Sequence, residues 1–244
     1  MGRVYAGTSG WAYKTWSPDF YPKSVKAAQY LNHYSSKLNA VEVNYTFRRR
    51  LTEQVQEKWL AATADGFFFS VKAPQVITHF KRLKDSDEYL RGFLESVQLL
   101  AGARRLGPLL FQLPPDFKAD AGLLRAFLQQ IPRAARVTLE FRNPSWFAEP
   151  VYDTLREFNA ALCAAESEDR ATPEILTADF HYTRLRKPDY SADEVDTMSA
   201  RLGGLAARGD VFAFFKHEET AQGALNAMKL LEKLQPQAAR NAAQ

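Results

Sequence analysis

The sequence predicts a single parallel (β/α)8 barrel of the TIM type, and three observations favour this fold class. Eight short segments rich in β-branched and aromatic residues alternate with longer segments of helical periodicity, which is the pattern of βαβ units. No Gly-x-Gly-x-x-Gly loop follows the first strand, so a doubly wound dinucleotide-binding sheet is the less favoured alternative. Polar residues recur at the carboxyl ends of the strands, where such barrels place their functional sites.

The eight predicted strands are short and are bounded by polar or turn-forming residues. In chain order they span Arg3–Ser9, Asn39–Tyr45, Phe67–Ala73, Pro108–Leu113, Arg136–Arg142, Ala161–Glu166, Phe180–Leu185 and Asp210–Lys216. Strands in this number and at this near-regular spacing match a closed barrel.

Apolar residues three and four positions apart predict helices in most of the intervals between strands. Thr52 and Ser191 each precede acidic residues, which is a helix start signal. The sixth interval, Ser167–Asp179, contains Pro173 and at most a helical turn, so we expect one outer helix to be missing or reduced. The predicted helices span Ala27–Leu38, Thr52–Ala64, Glu88–Ala101, Leu123–Ile131, Val151–Asn159, Asp193–Ala207 and Gly223–Leu234.

The composition is that of an ordinary globular protein, with 46% hydrophobic and 25% charged residues among 244. The formal net charge of +4 permits nucleic-acid binding without implying it. We expect one domain over residues 1–234 and a flexible tail over 235–244. The single Cys163 excludes an intrachain disulfide and no apolar run is long enough to span a bilayer, so we expect a cytoplasmic protein without a membrane partner. The sequence makes no prediction of the oligomeric state.

Side chains alternate across a strand, so one parity faces the helices and the other faces the barrel interior. In Val137–Arg142 the odd-numbered residues are apolar, which turns Thr138, Glu140 and Arg142 inward. On most strands the inward series begins apolar or small and ends polar. The same alternation on six other strands turns inward Glu42, Asn44, Lys72, Gln112, Glu166, Arg184 and Lys216.

These inward side chains are expected to meet at the mouth formed by the carboxyl ends of the strands. Charged groups that point into a barrel need partners or a ligand. The connecting loops at that end add more basic than acidic residues, so the mouth should attract anions. A purely structural ring of ion pairs is the competing interpretation.

Residues that follow the strands could complete a binding site. Ser9 lies in the loop Gly7–Gly10, whose backbone amides could bind an anion. Trp11, Tyr13 and Trp146 come just after the first and fifth strands, where they could wall a pocket or only seal the barrel top.

The leading functional hypothesis is an enzyme, such as a lyase, isomerase or hydrolase, that acts on a small phosphorylated or carboxylated, sugar-like compound. No cofactor and no tightly bound metal are expected. Arg142, Arg184 and Lys216 would hold the anion, and Asn44 and Gln112 would add polar contacts to the substrate.

The predicted catalytic groups are the carboxylates and one lysine. Glu140, with Glu42 or Glu166, would move protons, and Lys72 would stabilise developing oxyanion charge. Alternatively, Lys72 or Lys216 could attack a carbonyl group.

Two other functions stay open. Metal-dependent nucleic-acid binding or phosphodiester cleavage would place Arg48, Arg49 and Arg50 against the phosphate backbone. The candidate metal ligands are few and show no His-x-His or His-Glu-x-x-His pairing, so a divalent metal is a weak alternative. The candidate ligands are His79, Glu42, Glu140, Glu166, His181 and His217. The other possibility is non-catalytic binding of a small ligand.

Seven short motifs are spread along nearly the whole chain. They are Gly7-Thr8-Ser9-Gly10-Trp11, Val41-Glu42-Val43-Asn44, Phe69-Ser70-Val71-Lys72-Ala73-Pro74, Leu109-Leu110-Phe111-Gln112-Leu113-Pro114-Pro115, Glu140-Phe141-Arg142, Ser145-Trp146 and Tyr182-Thr183-Arg184-Leu185. Together they resemble the DUF72 family, also called the YecE-like family, of bacterial and archaeal barrel proteins. The resemblance implies a TIM-type barrel and supplies no substrate.

Overall fold

Eight parallel strands form a nearly closed barrel in this computed structural model, which describes residues 2–167, 170–187, 189–216 and 219–241. The strands are β1 (Val4–Thr8), β2 (Ala40–Val43), β3 (Phe68–Lys72), β4 (Leu106–Gln112), β5 (Val137–Glu140), β6 (Ala160–Ser167), β7 (Arg170–Ala171), β8 (Phe180–Leu185) and β9 (Asp210–Phe215). Neighbours follow the order β1-β9-β8-β6-β5-β4-β3-β2, and β7 pairs antiparallel with β6 outside this path. The predicted fold class is confirmed.

Helices follow most of the strands and cover the outside of the barrel. They are α1 (Tyr30–Ser35), α2 (Glu53–Ala61), α3 (Asp87–Glu95), α4 (Gln98–Gly102), α5 (Ala121–Leu128), α6 (Glu149–Glu157), α7 (Ala192–Ala206) and α8 (Gln222–Asn241). The start signals are confirmed, because the Thr52 hydroxyl accepts from the Val55 amide and the Ser191 hydroxyl accepts from the Glu194 amide.

Two of the segments between strands do not form one continuous helix, and only one of these two departures was predicted. The predicted helix Glu88–Ala101 is broken into α3 and α4 near Ser96, whose hydroxyl donates to the Phe93 carbonyl and so competes with the helical bond. The sixth interval carries no helix among its described residues, as predicted. There the Thr177 hydroxyl accepts from the Leu162 amide and donates to the Ala160 carbonyl, and so satisfies backbone groups of β6.

Two apolar layers confirm the alternation rule on most strands. One layer fills the barrel interior up to the mouth, which the Tyr182 hydroxyl reaches, and consists of Tyr5, Ala40, Leu110, Ala161, Cys163, Phe180, Tyr182, Phe212 and Phe214. The larger layer lies between the strands and the helices and contains Val41, Val43, Leu139 and Val211. Burial raises the pKa of the Cys163 thiol, which therefore packs as a neutral side chain.

The barrel closes between β1 and β2, at a junction that we call the seam, and side chains as well as backbone groups join the two strands there. A single parallel bridge joins Ser9 to Glu42. At the other end of this seam, the Asn39 side chain accepts from the Ala6 amide at 2.8 Å and donates to the Val4 carbonyl at 3.0 Å.

The middle of the seam depends on a tyrosine and a glycine. The Tyr34 hydroxyl accepts from the Thr8 amide at 2.8 Å and donates to the Ala40 carbonyl at 3.1 Å. A Cβ at Gly7 would lie 1.8 Å from the Ala40 carbonyl oxygen, so only glycine fits there. The seam therefore holds Ser9 and Glu42 next to each other at the mouth.

The last helix, α8, extends into the predicted tail as far as Asn241, and the flexibility of that tail stays a prediction. Along the part of the chain that the structure describes, no helix is both long and apolar enough to cross a membrane.

Candidate functional site

Polar side chains of the inward parity converge at the carboxyl ends of the strands, above the apolar floor of the barrel. They come from different strands that the barrel brings together, which is how this fold builds its sites. We call them the mouth cluster: Ser9, Glu42, Lys72, Gln112, Glu140, Arg142, Tyr182, Arg184 and Arg186.

Arg184 on β8 lies at the centre of the mouth cluster and is 2% exposed. Its two terminal nitrogens donate separately, one to Glu140 Oε2 at 2.6 Å and the other to Glu42 Oε1 at 2.7 Å. Burial would lower the pKa of Arg184, but the two carboxylates raise it well above its ordinary value. Arg184 is thus a fixed cation that ties β2 and β5 together across the barrel.

Glu42 on β2 is completely buried, and its carboxylate accepts several hydrogen bonds. Besides the bond from Arg184, Oε1 accepts from the Ser9 hydroxyl at 2.7 Å and from the Asn44 amide at 3.0 Å, and Oε2 accepts from the Tyr182 hydroxyl at 2.7 Å. Burial would raise the pKa of Glu42, but Arg184 and these hydrogen bonds lower it below its ordinary value. This carboxylate is therefore ionised and a poor proton acceptor.

Glu140 on β5 is the second buried carboxylate and has the larger number of cationic neighbours. Its Oε2 also accepts from Gln112 Nε2 at 2.8 Å, and its Oε1 accepts from Arg186 at 2.7 Å and lies 3.5 Å from Arg142 Nε. Burial opposes ionisation, but Arg184, Arg186 and Arg142 lower the pKa of Glu140 to about 2. Glu140 thus organises three guanidinium groups around one anion.

Lys72 on β3 has a different environment from the arginines. Its ammonium group donates to the neutral Gln112 Oε1 at 2.9 Å and lies 4.1 Å above the centre of the Phe47 ring. Among the described residues, no carboxylate comes within 4.0 Å of Lys72 Nζ. Burial, followed by repulsion from Arg184, lowers the pKa of Lys72 to about 8.

The mouth cluster contains more positive than negative charge. In the described part of the mouth, the four cations Lys72, Arg142, Arg184 and Arg186 surround the two carboxylates. The Nε atoms of Arg184 and Arg186 and the Asn44 Oδ1 atom are buried without a hydrogen-bond partner among the described residues. Buried polar atoms and excess buried charge are costly unless a ligand compensates for them.

Comparison with known proteins identifies the family. A family model described as "Protein of unknown function DUF72" matches residues 5–244. The chain belongs to the DUF72 family. The resemblance of its seven motifs is therefore confirmed.

Curated relatives within this family carry no assigned activity in their names. The UPF0759 protein YunF of Bacillus subtilis is 28% identical over 273 residues, covering 95% of this chain and 94% of that protein. The UPF0759 protein YecE of Escherichia coli K12 is 30% identical over 148 residues, covering 60% of this chain and 51% of that protein.

Solved structures of the family have the same barrel. A DUF72 family protein of Thermotoga maritima has a TM-score of 0.85 at 26% identity, covering 96% of this chain and 99% of that protein. An AP endonuclease of family 2 from Brucella melitensis has a TM-score of 0.52 at 12% identity, covering 87% of this chain and 92% of that protein. A likeness at such low identity shows a shared barrel fold alone.

The prediction that Glu166 faces inward is wrong. β6 pairs with β8 so that Cys163 lies beside Tyr182 and Ala165 beside Arg184, and this parity lines the interior. Glu166 has the opposite parity and lies beside α7, near Tyr190. The pattern misled because both parities of this strand are small or apolar, so hydrophobicity does not distinguish its faces.

The prediction that Trp146 walls a pocket is also wrong, because Trp146 packs in the apolar layer between the strands and the helices. Trp146 is fully buried, stacks on Phe141 at 4.6 Å and donates its indole hydrogen to the Phe117 carbonyl at 2.7 Å. Its polar atom is already satisfied, so it offers no group to a ligand.

The remaining predicted binding residues lie around the mouth at different depths. Tyr13 is partly buried, and its hydroxyl donates to the Ser9 carbonyl at 2.9 Å. Trp11 packs edge-on against Trp59 of α2 at 5.3 Å, which turns it towards the helix layer. Lys216 follows β9 and is exposed at the rim, and its anion-binding role stays a prediction.

Sequence reasoning missed Phe47, and it assigned no contact within the mouth cluster to Tyr182, Arg186 or His79, of which His79 was considered only as a weak metal ligand. Arg186 and Tyr182 share the parity of Arg184, so the alternation rule alone turns both side chains inward. Phe47 and His79 come from the loops after β2 and β3, where their rings meet edge-on at 5.0 Å. No periodic signal marks loop residues of this kind.

The described part of the mouth lacks a cluster of metal-ligating side chains. No group of three His, Cys, Asp or Glu side chains able to hold a metal ion occurs among the described residues, and His217 lies outside them. Glu42 and Glu140 are both bound by Arg184, and an adjacent guanidinium repels a divalent cation.

Proposed function

We propose that the mouth cluster binds a small compound carrying a phosphate or carboxylate group, and that the protein transforms it by acid–base chemistry of its own side chains. The observation that carries this proposal is the charge balance, because four cations meet two carboxylates in the described part of the mouth. An entering anion would neutralise the excess and could accept from the buried guanidinium nitrogens.

The anion would bind on the solvent side of Glu140. Arg142 and Arg186 reach Glu140 from that side and are more exposed than Arg184. Lys72 donates to a neutral amide, so it can turn to a ligand without breaking an ion pair. A phosphate or carboxylate there would contact these three cations and leave the bonds of Arg184 intact.

Lys72 is the best candidate for proton transfer at this site. With a pKa of about 8, on the order of a tenth of the Lys72 side chains would be neutral at pH 7. A neutral amine can take a proton from the bound compound, and the resulting ammonium group stabilises the negative charge left behind. Glu140, predicted from the sequence to move protons, is better assigned to positioning Arg142 and Arg186, because its pKa of about 2 leaves it ionised.

The competing interpretation, a structural ring of ion pairs, accounts for part of the mouth. Arg184, Glu42 and Glu140 form such a group and would stabilise the barrel without a ligand. One of the outer cations Arg142, Arg186 and Lys72 balances the remaining negative charge of this group, and the other two exceed what the two carboxylates neutralise. A structural ring therefore explains the centre of the cluster but not all of its outer cations.

Anion binding can be tested by thermal unfolding in orthophosphate and in a panel of small carboxylates and sugar phosphates. A ligand that binds the folded state raises the midpoint temperature in proportion to its occupancy. Arg142→Gln should weaken the apparent affinity by about tenfold. Arg125→Gln is the matched control, because Arg125 pairs with Glu157 on the outer surface.

Two results would contradict the proposal. One is that no phosphate or carboxylate raises the midpoint temperature of the unmodified protein. The other is that Arg142→Gln and Arg125→Gln weaken the effect equally, which would mean that the anions act through general charge screening.

A further inference from the structure

A second candidate site lies beside the mouth, in a groove of about 660 Å³ between the loop after β2, the loop after β3 and α3. Its lining includes three consecutive arginines, Arg48, Arg49 and Arg50, together with Phe80 from the loop after β3 and Tyr89 and Arg91 from α3. We call this the arginine groove. Phe47 forms its boundary with the mouth cluster, since Lys72 lies above the same ring.

The groove brings several arginines together. Arg82, Arg125 and Arg156 each form an ion pair with a nearby carboxylate. Within the described ranges of the chain, the side chains of Arg48, Arg49, Arg50 and Arg91 form neither an ion pair nor a hydrogen bond. Single exposed arginines such as Arg104 and Arg208 also form no ion pair among the described residues, so what distinguishes this groove is that four such arginines line it together.

Carboxylates are nevertheless close to these arginines. Glu88 and Glu95 line the same groove on α3, and neither lies within 4.0 Å of a groove arginine among the described residues. The guanidinium groups are therefore not neutralised by direct ion pairs with these acids. An excess of cations along the groove favours an anionic ligand.

Exposed aromatic rings are concentrated at the same place. Across the described residues, the large hydrophobic side chains that are exposed are Tyr45, Phe80 and Tyr89, and Phe80 is 70% exposed. Phe80 and Tyr89 line the groove, and the Tyr45 hydroxyl donates to the Arg50 carbonyl at 2.8 Å and so anchors the arginine loop. Phe80 ends a π-helical turn, Val76–Phe80, a rare geometry that is frequent at functional sites.

We propose that the arginine groove binds single-stranded nucleic acid, with phosphates on Arg48, Arg49 and Arg50 and bases stacked on Phe80 and Tyr89. A positive groove that follows the backbone, together with exposed rings, is the common arrangement of proteins that bind single strands. An acidic peptide would use the cations but leave the rings without stacking partners. A duplex would keep its bases stacked inside and out of reach of Phe80.

This inference is independent of the function proposed for the mouth cluster. It requires none of the mouth residues, and it predicts binding without a chemical step. The two proposals can therefore fail separately.

The test is a fluorescence anisotropy titration of the full chain with a labelled oligothymidylate and a labelled oligouridylate of about 16 nucleotides each. The triple variant Arg48→Gln, Arg49→Gln and Arg50→Gln should weaken binding at least about tenfold, and should flatten the dependence on salt between about 50 and 200 mM. Phe80→Ala should weaken binding by about tenfold, and Phe80→Trp should retain it.

The matched control removes the same charge elsewhere. Lys37, Lys58 and Arg208 are exposed and lie towards the opposite end of the barrel, so Lys37→Gln, Lys58→Gln and Arg208→Gln together should change affinity by no more than about twofold. All the substituted side chains are exposed, and a thermal midpoint within a few degrees of the unmodified protein confirms folding.

Several outcomes would overturn the inference. Absence of binding by the unmodified protein would do so, as would equal weakening by the two triple variants. Tighter binding of a duplex than of either strand, with no effect of Phe80→Ala, would indicate a duplex surface instead. Competition by thymidine or uridine monophosphate as effective as that by the oligonucleotide, at equal nucleotide concentration, would indicate a site for a free nucleotide.

Discussion

At the floor of the barrel, Phe212 stacks on Tyr5 at 4.9 Å, whereas at the mouth the interior positions hold Arg184 between two carboxylates. Both regions are buried, and both are built from alternate residues of the same strands. The floor is stabilised by apolar contact, which does not depend on pH. The mouth is stabilised by charges whose balance depends on protonation and on any bound anion. The contribution of the mouth to the free energy of unfolding should therefore change with pH and ligand, whereas that of the floor should not.

The variant expected to change stability most, and so to test this contrast best, is Arg184→Met. Removing the central cation leaves Glu42 and Glu140 buried without their main partner, which we expect to lower the free energy of unfolding by about 3–5 kcal/mol at pH 7. The penalty should shrink as the pH falls, because the carboxylates can then be buried in the protonated form. Urea denaturation at several pH values measures both effects, and a loss below about 1 kcal/mol at pH 7 would contradict the central role of Arg184.

The corresponding change at the floor is Phe212→Ala. It should lower the free energy of unfolding by about 3 kcal/mol through lost contacts and a cavity. The loss should be the same at pH 5 and pH 7, since the rings packed against Phe212 are those of Tyr5, Phe68 and Phe180, which stay neutral in this range. A loss that varies by more than about 1 kcal/mol between these conditions would mean that floor and mouth are coupled.

The unmodified protein should itself lose stability in acid because of Glu140. Its pKa is about 2 in the folded protein against an ordinary value of 4.5, so its contribution is complete above about pH 4.5 and is lost as the pH falls towards 2. The expected loss is up to about 3 kcal/mol. Glu140→Gln should remove this part of the acid dependence, and an unchanged acid profile in that variant would show that Glu140 is not its source.

The smallest expected effect on stability is that of Lys72→Met, which should raise the free energy of unfolding, whereas the other variants should lower it. The pKa of Lys72 is lowered from 10.5 to about 8, so the folded state disfavours the charged form, and the unmodified protein should gain stability as the pH rises from about 8 to 10.5. Lys72→Met should stabilise the protein at pH 7 by about 1 kcal/mol and abolish the rise. A less stable variant would show that Lys72 supports the fold rather than serving a ligand.

The strand alternation made most of the fold and much of the site predictable. Wherever one parity is apolar and the other becomes polar, as in Val137–Glu140, the sequence alone distinguishes the helix side from the interior. The rule failed on β6, where Ala161, Leu162, Cys163 and Ala164 offer no contrast and the register is set by pairing with β8. Glu166 was placed on the wrong face for that reason.

The balance of roles at the site could not be predicted from residue types. Glu140 resembles a proton-transfer group in the sequence, and it takes the geometry of Arg184, Arg186 and Arg142 to show that its pKa is about 2. The unusual position of Lys72 depends equally on Phe47, which comes from a loop. Such effects arise from long-range contacts, which are invisible to local patterns.

The seam between β1 and β2 has a consequence for motion. Because Asn39 and Tyr34 replace much of the backbone ladder there, separation of these two strands breaks fewer backbone hydrogen bonds than elsewhere in the barrel, chiefly that from the Gly10 amide to the Glu42 carbonyl. Ser9 and Glu42 stand on opposite sides of the seam, so its opening breaks their hydrogen bond at the same moment. Separation of β1 from β2 and loss of the Ser9–Glu42 hydrogen bond are therefore one movement. Amide hydrogen exchange at Thr8 would report on both.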